Sequence, residues 1–270
     1  LPAGRGDDRD DAPPSRVPLW SLFLLGSAAL CVSVAEVPHK IAAMVGLLMV
    51  SVVLVAAFLV HDRRVPVTVL PPSVFRAGPL KWIYVTMGLL MGGAMIDMYV
   101  PLFGQRLAHL SPVVAGFLGA ALAVGWTLGE LVSASLSDRR LIARIVAAGP
   151  PVMASGLALY ALTQVDNATR GMVALWIFAL LISGTGIGMA WPHLSAWAME
   201  TADAGDDGAA AAAINTVQLI CGAYAGGLAG VVVNAAGGSG ASPARWLFAV
   251  FAGLGAAGAL ASYRAGQGQR

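Results

Sequence analysis

Eight long apolar runs are the feature that most constrains this sequence. Each covers roughly 20 residues, which is the length that an α-helix needs to cross a bilayer. The runs are continuous, whereas the strands of a membrane barrel would be short and alternating, so they predict helices. Their approximate bounds are 17–35, 41–60, 81–103, 112–136, 145–163, 172–197, 209–233 and 245–263.

The composition agrees with a protein that lies mostly in lipid. The 270 residues are 58% hydrophobic and 11% charged, whereas a soluble domain is typically about 25% charged. We therefore predict an all-α integral membrane protein with about eight transmembrane helices. The net charge of +2 gives no reason to expect a nucleic acid partner. Cys31 and Cys221 lie inside apolar runs, which favours buried thiols over a disulfide or a metal site. We predict no metal and no cofactor.

The distribution of lysine and arginine tests the number of spans and their orientation. If the N-terminus is cytoplasmic and the spans alternate, 12 of the 16 basic residues face the cytoplasm, and Lys40, Arg106, Arg170 and Arg245 lie outside. This bias follows the positive-inside rule. It predicts a multi-pass protein with both ends of the chain in the cytoplasm.

The connections between the runs suggest how the chain is organised. Residues 1–16 are charged and rich in proline and glycine, which predicts a solvated cytoplasmic loop. The chain begins with Leu1 and shows no signal-peptide pattern, so we interpret it as a piece of a longer protein. The predicted parts are a loop at 1–16, two transmembrane helices at 17–60, a cytoplasmic linker at 61–80, a six-helix domain at 81–263 and a cytoplasmic tail at 264–270.

Two acids interrupt the hairpin that runs from Trp82 to Arg140. Asp97 lies in its first apolar run and Glu130 in its second. We expect the residues between these runs to form a loop that contains Pro101, Arg106, His109 and Pro112. A carboxylate in the hydrocarbon region costs roughly 2.5 kcal/mol or more, and it usually faces a bundle interior or a water-filled path.

Asp97 and Glu130 are therefore candidates for recognising a substrate charge and for coupling protons, since desolvation favours the neutral form of a carboxyl group. Glu130 lies toward the cytoplasmic side of its span and Asp97 toward the outside. This arrangement suits a path that opens alternately to each side. Two unrelated structural acids would show the same arrangement. A bond from Glu130 to another helix, for example to His193, is the structural alternative.

Small and polar residues recur at helical spacing on the later spans. On the seventh run, Asn215 and Gln218 share a face with Gly222 and Gly226. Small residues let helices approach closely, so we interpret the glycines as packing positions. Asn215 and Gln218 are lesser candidates for lining a substrate cavity.

The sixth run carries three glycines and a proline. Gly184, Gly186 and Gly188 are followed by Pro192 and His193. No strand precedes them, so a phosphate-binding loop is disfavoured. Glycines and a proline in one span predict a helix that can bend or break, as transporters use. His193 is a candidate for binding substrate or carrying protons, although a lone histidine near a helix end is more often a satisfied structural or interfacial residue.

Several motifs together resemble a known family. They are 70–76 (LPPSVFR), 99–105 (YVPLFGQ), 110–116 (LSPVVAG), Gly184–Gly188 with Pro192, and 137–140 (SDRR). The chain resembles the C-terminal part of a major facilitator superfamily transporter of the fourteen-span drug:proton antiporter type. The pair Asp138–Arg139 resembles a degenerate copy of the family's cytoplasmic Asp-Arg loop.

The resemblance implies a fold and a function. The first two spans would be the extra central pair of this type, and the other six its C-terminal domain, with an N-terminal six-helix half as partner. The implied function is proton-coupled export of small amphipathic or cationic molecules across a bacterial inner membrane. A nutrient importer of the same fold and a non-transporting truncated scaffold are the alternatives. An enzyme is disfavoured, because no nucleophile–base pair was found.

Overall fold

The computed structural model describes residues 18–35, 37, 40–66, 68–70, 78–200, 207–238 and 240–267. The predicted loop at 1–16 and most of the 70–76 motif lie outside these residues. The described part is helical. Its helices are α1 (Leu19–Val34), α2 (Ile41–Asp62), α3 (Leu80–Ala94), a 3₁₀ segment (Met95–Tyr99), α4 (Val100–Ala108), α5 (Pro112–Ala134), α6 (Arg139–Leu162), α7 (Arg170–Glu200), α8 (Asp207–Ala236) and α9 (Ser242–Gln267).

The helices form a multi-pass membrane bundle. Within the described residues, 7 segments are long and apolar enough to cross a membrane, with α3, the 3₁₀ segment and α4 counted as one. The first predicted span is shorter: α1 has 16 residues, or about 24 Å against a hydrocarbon core of about 30 Å. The fold is the all-α membrane bundle that the apolar runs predicted.

The third predicted span is interrupted near its middle. The 3₁₀ segment Met95–Tyr99 separates α3 from α4, and Pro101 lies in the first turn of α4. In a continuous α-helix the amide of residue 101 would donate to the carbonyl of Asp97, but proline has no N–H. The amide of Val100 donates to that carbonyl instead, which closes a 3₁₀ turn.

The predicted loop after this span was therefore wrong in extent. Pro101 and Arg106 lie inside α4, and only residues 109–111 separate α4 from α5. Prolines are tolerated in the first turn of a helix, where the missing N–H has no intrahelical partner. Pro101 and Pro112 both begin helices in this way.

Helix α7 is the centre of the bundle. It runs without interruption through Pro192, so the helix that the glycines and proline predicted to bend or break is not broken there. A Cβ built on Gly184 or Gly188 would overlap the α5 backbone at Leu122 or Trp126. A Cβ on Gly186 would lie 2.6 Å from the carbonyl oxygen of Gly149 in α6. The three glycines thus let α7 pack closely against a helix on each side.

Helices α1 and α2 pack together and contact α8. A Cβ on Gly227 of α8 would lie 2.9 Å from the carbonyl oxygen of Val32 in α1. Between α1 and α2, the hydroxyl of Ser51 donates to the carbonyl of Ala28 at 2.8 Å. Tyr224 of α8 donates to the carbonyl of Ser51 at 3.3 Å. The pair is therefore tied to the larger bundle through one helix face.

Asp62, at the end of α2, is a fully buried acid with several donors around it. The hydroxyl of Ser21 and the amides of Val69 and Leu70 each donate to its carboxylate at 2.9 Å. Buried charge is costly unless it is hydrogen-bonded. These bonds join the start of α1, the end of α2 and the segment that leads to α3.

Aromatic rings and loop contacts hold the helices together at the end of the bundle opposite Asp62. Tyr160 of α6 packs edge-on against Phe248 of α9 at 4.4 Å between ring centroids. The His109 ring nitrogen Nε2 lies 2.9 Å from the Asn167 side-chain oxygen. The amide of Ala168 donates to the carbonyl of Leu107 at 2.7 Å. The outer end of α4 is thus attached to the α6–α7 connection.

Candidate functional site

Asp97 lies in the 3₁₀ interruption between α3 and α4, and its side chain is half-buried. The interruption packs against α5 at Gly119, where an added Cβ would lie 3.2 Å from the ring of Pro101 and 3.8 Å from the carbonyl oxygen of Asp97. On its other side it approaches α8: a Cβ on Gly222 would lie 3.4 Å from the sulfur of Met95. An irregular, acid-bearing stretch of backbone is therefore held between two helices by glycines.

The polar residues of α8 lie beyond this contact. Gln218 is half-buried and Asn215 is exposed in this chain. Asn215 precedes Gly222 by seven residues, or about 10 Å along the helix. Closer to the interruption, α3 packs on α8 through Gly88, where an added Cβ would lie 2.6 Å from the sulfur of Cys221. Gln218 and Asn215 thus lie on α8, the helix that contacts Met95, but at a different level from Asp97.

Glu130 lies at the interface of α5 with α7. A Cβ on Gly188 would lie 2.8 Å from the Glu130 amide nitrogen, so α7 passes directly over the backbone of this residue. The Glu130 side chain is half-buried. The ring centroids of Trp126, one turn earlier on α5, and Trp191 of α7 are 5.6 Å apart. The acid is therefore next to an aromatic pair on a rigid helix contact.

His193 bonds to Ser133, which is one turn after Glu130 on α5. Nε2 of the buried imidazole lies 2.9 Å from the Ser133 hydroxyl and 3.1 Å from the Ser133 carbonyl oxygen. The same hydroxyl donates to the carbonyl of Met189 at 2.6 Å. Its one hydrogen is thereby used, and a carbonyl can only accept. This network assigns the imidazole hydrogen to Nε2.

The histidine thus joins α7 to α5 through Ser133, which sequence reasoning did not identify as its partner. The pairing with Glu130 that the sequence left open is not the contact that the structure shows. Ser133 lies with Gly119, Ala123, Thr127 and Glu130 on a small, polar face of α5. That pattern is a signal for helix contact, but it does not say which residue of α7 lies opposite Ser133.

The two membrane acids are not brought together. Asp97 is level with Gly119 of α5, and Glu130 follows eleven residues later. At 1.5 Å per residue this separation is about 16 Å along the helix. The acids therefore occupy different depths, too far apart for a hydrogen bond between them.

The Asp138–Arg139 pair lies at the start of α6. The Asp138 carboxylate accepts from the amide of Arg140 at 2.8 Å and from that of Leu141 at 3.4 Å, so it caps the helix. Arg139 is the first residue of α6, and both members of the pair are exposed. Elsewhere in the described residues, no group of three or more His, Cys, Asp or Glu side chains could hold a metal ion.

Comparison with known proteins identifies the family. A family model of the Major Facilitator Superfamily matches residues 25–226. The chain belongs to the major facilitator superfamily. Over 263 residues, or 97% of its length, it is 58% identical to a probable multidrug-efflux transporter in two strains of Mycobacterium tuberculosis. Over 186 residues, or 66% of its length, it is 30% identical to a puromycin resistance protein of Streptomyces alboniger.

The coverage of these relatives is partial. The chain spans 56% of the length of the mycobacterial transporter and 36% of the Streptomyces protein. It therefore corresponds to about half of a superfamily member. The resemblance that the sequence motifs suggested is confirmed at the level of the superfamily.

Proposed function

We propose that this chain is the C-terminal part of a proton-coupled exporter of small amphipathic or cationic molecules. The names of the relatives support drug efflux, since one is a probable multidrug-efflux transporter and another a puromycin resistance protein. Their greater length supports an N-terminal six-helix half as the partner of this chain. In this arrangement α1 and α2 are the extra central pair, and α3 to α9 make up the C-terminal domain.

The observation that carries the proposal is the position of Asp97. Transporters bind substrates and coupling ions where spanning helices are discontinuous. Asp97 is in the 3₁₀ interruption of a spanning helix, between Gly119 of α5 and Gly222 of α8. A half-buried carboxyl group there can recognise a substrate cation or exchange a proton.

The other candidates receive separate roles in this proposal. Glu130 is a second proton or cation site, nearer the opposite membrane surface. Gln218 and Asn215 of α8 offer polar groups toward the substrate path. The bond of His193 to Ser133 supports a positioning role, since it fixes α7 against α5 one turn from Glu130.

The proposed location is the bacterial inner membrane, with both chain ends in the cytoplasm. The support is the excess of lysine and arginine on one side, 12 of 16 residues. The lipid bilayer, protons and the exported molecule are then the remaining partners.

The test is gradient-driven export by the whole transporter that contains this chain. The transporter is reconstituted in vesicles with a pH gradient, and export of puromycin and of a cationic dye is measured. Asp97→Asn and Glu130→Gln keep the size of each side chain but cannot titrate. We expect each variant to insert normally. The factor by which the pH gradient accelerates export should fall tenfold or more. For Glu130→Gln, we also expect substrate binding to be retained.

Asp166→Asn is the matched control, since this acid is exposed in the α6–α7 connection. It should export as the unchanged protein does. Normal gradient dependence in both Asp97→Asn and Glu130→Gln would refute proton coupling through these acids. Poor folding of Glu130→Gln would favour a structural role for that residue.

A further inference from the structure

Two cations share one indole ring at one end of the bundle. Lys81 Nζ lies 5.6 Å from the centroid of the Trp82 ring, and Arg264 Cζ lies 4.6 Å from it. Each distance is within the range of a cation–π contact. Within the part of the chain that the structure describes, neither cation forms an ion pair with a carboxylate. Two like charges thus lie within about 6 Å of one ring centroid, and an anion bound near them would reduce their repulsion.

Helix packing fixes this cluster in place. Helices α3 and α9 run antiparallel, and a Cβ on Gly258 would lie 3.4 Å from the Leu89 side chain. Trp82 lies seven residues before Leu89 on α3, and Arg264 lies six residues after Gly258 on α9. Both steps lead toward the same end of the helix pair, about 10 Å away. The shared ring follows from the register of two long helices, so no flexible loop is needed to form the cluster.

The cluster lies at the level of a membrane surface. Lys81 is in the first turn of α3 and Arg264 in the last turn of α9. Both charged side chains are exposed, while the Trp82 ring is half-buried. Tryptophan is typical of the membrane–water interface. Basic residues near that surface attract anionic lipids.

We propose that Lys81, Trp82 and Arg264 form a binding site for a phosphate group at the level of the lipid headgroups. The Arg264 guanidinium can hold two phosphate oxygens in its planar fork, and the Lys81 ammonium adds a point charge. Trp82 supplies the ring that both cations contact, so each lies within about 6 Å of the same centroid. The site takes the phosphate of an anionic lipid or, from the aqueous phase, a free phosphate. It is distinct from the Asp97 and Glu130 positions.

The experiment measures binding of phosphatidylglycerol to the full chain by native mass spectrometry in detergent. An exposed ion pair contributes up to about 1 kcal/mol, so the loss of one contact to the phosphate lowers an association constant by up to roughly fivefold. We expect Lys81→Gln and Arg264→Gln each to lower the first association constant by up to about fivefold, and the double variant by up to about 25-fold. Arg264→Lys keeps the charge and should retain most of the binding.

Arg144→Gln is the matched control, because Arg144 is an exposed cation near the start of α6 that is not stacked on Trp82. It should bind phosphatidylglycerol as the unchanged chain does. A second titration adds millimolar inorganic phosphate. Displacement of the lipid assigns the site to free phosphate, and undisturbed binding assigns it to the lipid. Equal binding by the unchanged chain and the double variant, or an equal loss in Arg144→Gln, would overturn the proposal.

Discussion

The close contact of α5 and α7 makes a sharp prediction for Gly188. In Gly188→Ala the added Cβ would overlap the carbonyl oxygen of Trp126 and lie 2.8 Å from the amide nitrogen of Glu130. Both atoms belong to the α5 backbone, so no side chain can rotate away to make room. The two helices must move apart, or one must bend.

The structure gives the size of the effect. Ordinary contact of a Cβ begins at 3.4 Å, so relief of the Glu130 contact alone needs a shift of about 0.6 Å. A gap of 0.5–1 Å forfeits about a quarter to a half of each dispersion contact along the interface. Overpacking of this kind costs about 1–3 kcal/mol, while the gain in helix propensity from Gly to Ala is about 1 kcal/mol. Because the obstacle is backbone, we expect a net loss of about 2 kcal/mol.

The assay is thermal unfolding followed with a thiol-reactive fluorophore, since Cys31 and Cys221 are free and half-buried. A loss of about 2 kcal/mol lowers the midpoint by about 4–8 °C in a chain of this size. Gly116→Ala is the control on α5, since nothing lies within 4 Å of its added Cβ. Its midpoint should stay the same or rise slightly. If Gly188→Ala unfolded at the same temperature as Gly116→Ala, the close packing of α5 and α7 would be refuted.

Three further predictions follow from other contacts. His193→Ala and Ser133→Ala remove the same bond, so a double-mutant cycle of unfolding free energies should show a coupling of about 0.5–3 kcal/mol, and strict additivity would contradict it. Asp62→Asn replaces one of the two carboxylate oxygens, which accept from three donors, with an amide nitrogen that cannot accept. The free energy of unfolding should therefore fall by about 1–3 kcal/mol, and an unchanged value would contradict this. A single cysteine at His109 should react with an impermeant thiol reagent from outside, and one at Asp138 only from inside. Outside labelling at Asp138 would reverse the proposed orientation.

The spans could be predicted from the sequence because the length and hydropathy of an apolar run depend on one helix alone. The prediction failed at the third span, where Pro101 was interpreted as part of a loop. Proline ends a helix when it lies in the interior, but it fits the first turn of a new one. Pro101 itself was the available signal. It has no N–H to donate to the carbonyl of Asp97, four residues earlier, so a continuous helix would lose one hydrogen bond there.

The partner of His193 could not be predicted in the same way. Which residue of α5 faces it depends on the rotation and register of two helices. The structure shows that these are set by Gly125 and Gly129 on α5, which fit against α7 as Gly184 and Gly188 fit against α5. Glycines four residues apart on both helices are typical of close packing. The spacing of these glycines does not say which helix lies opposite them, so the partner of His193 had to come from the structure.

The positions of the two acids limit how they can work together in the proposed exporter. Because about 16 Å of α5 separates the level of Asp97 from Glu130, a proton cannot pass directly from one carboxyl group to the other. What they share is α5 itself: its Gly119 packs against the Asp97 interruption, and its Glu130 backbone packs against Gly188. A shift of α5 would therefore change the surroundings of both acids at once. Coupling through this helix predicts that Gly119→Ala, far from Glu130, alters the pH dependence of export. Unchanged pH dependence in a well-folded Gly119→Ala transporter would show that the two acids act independently.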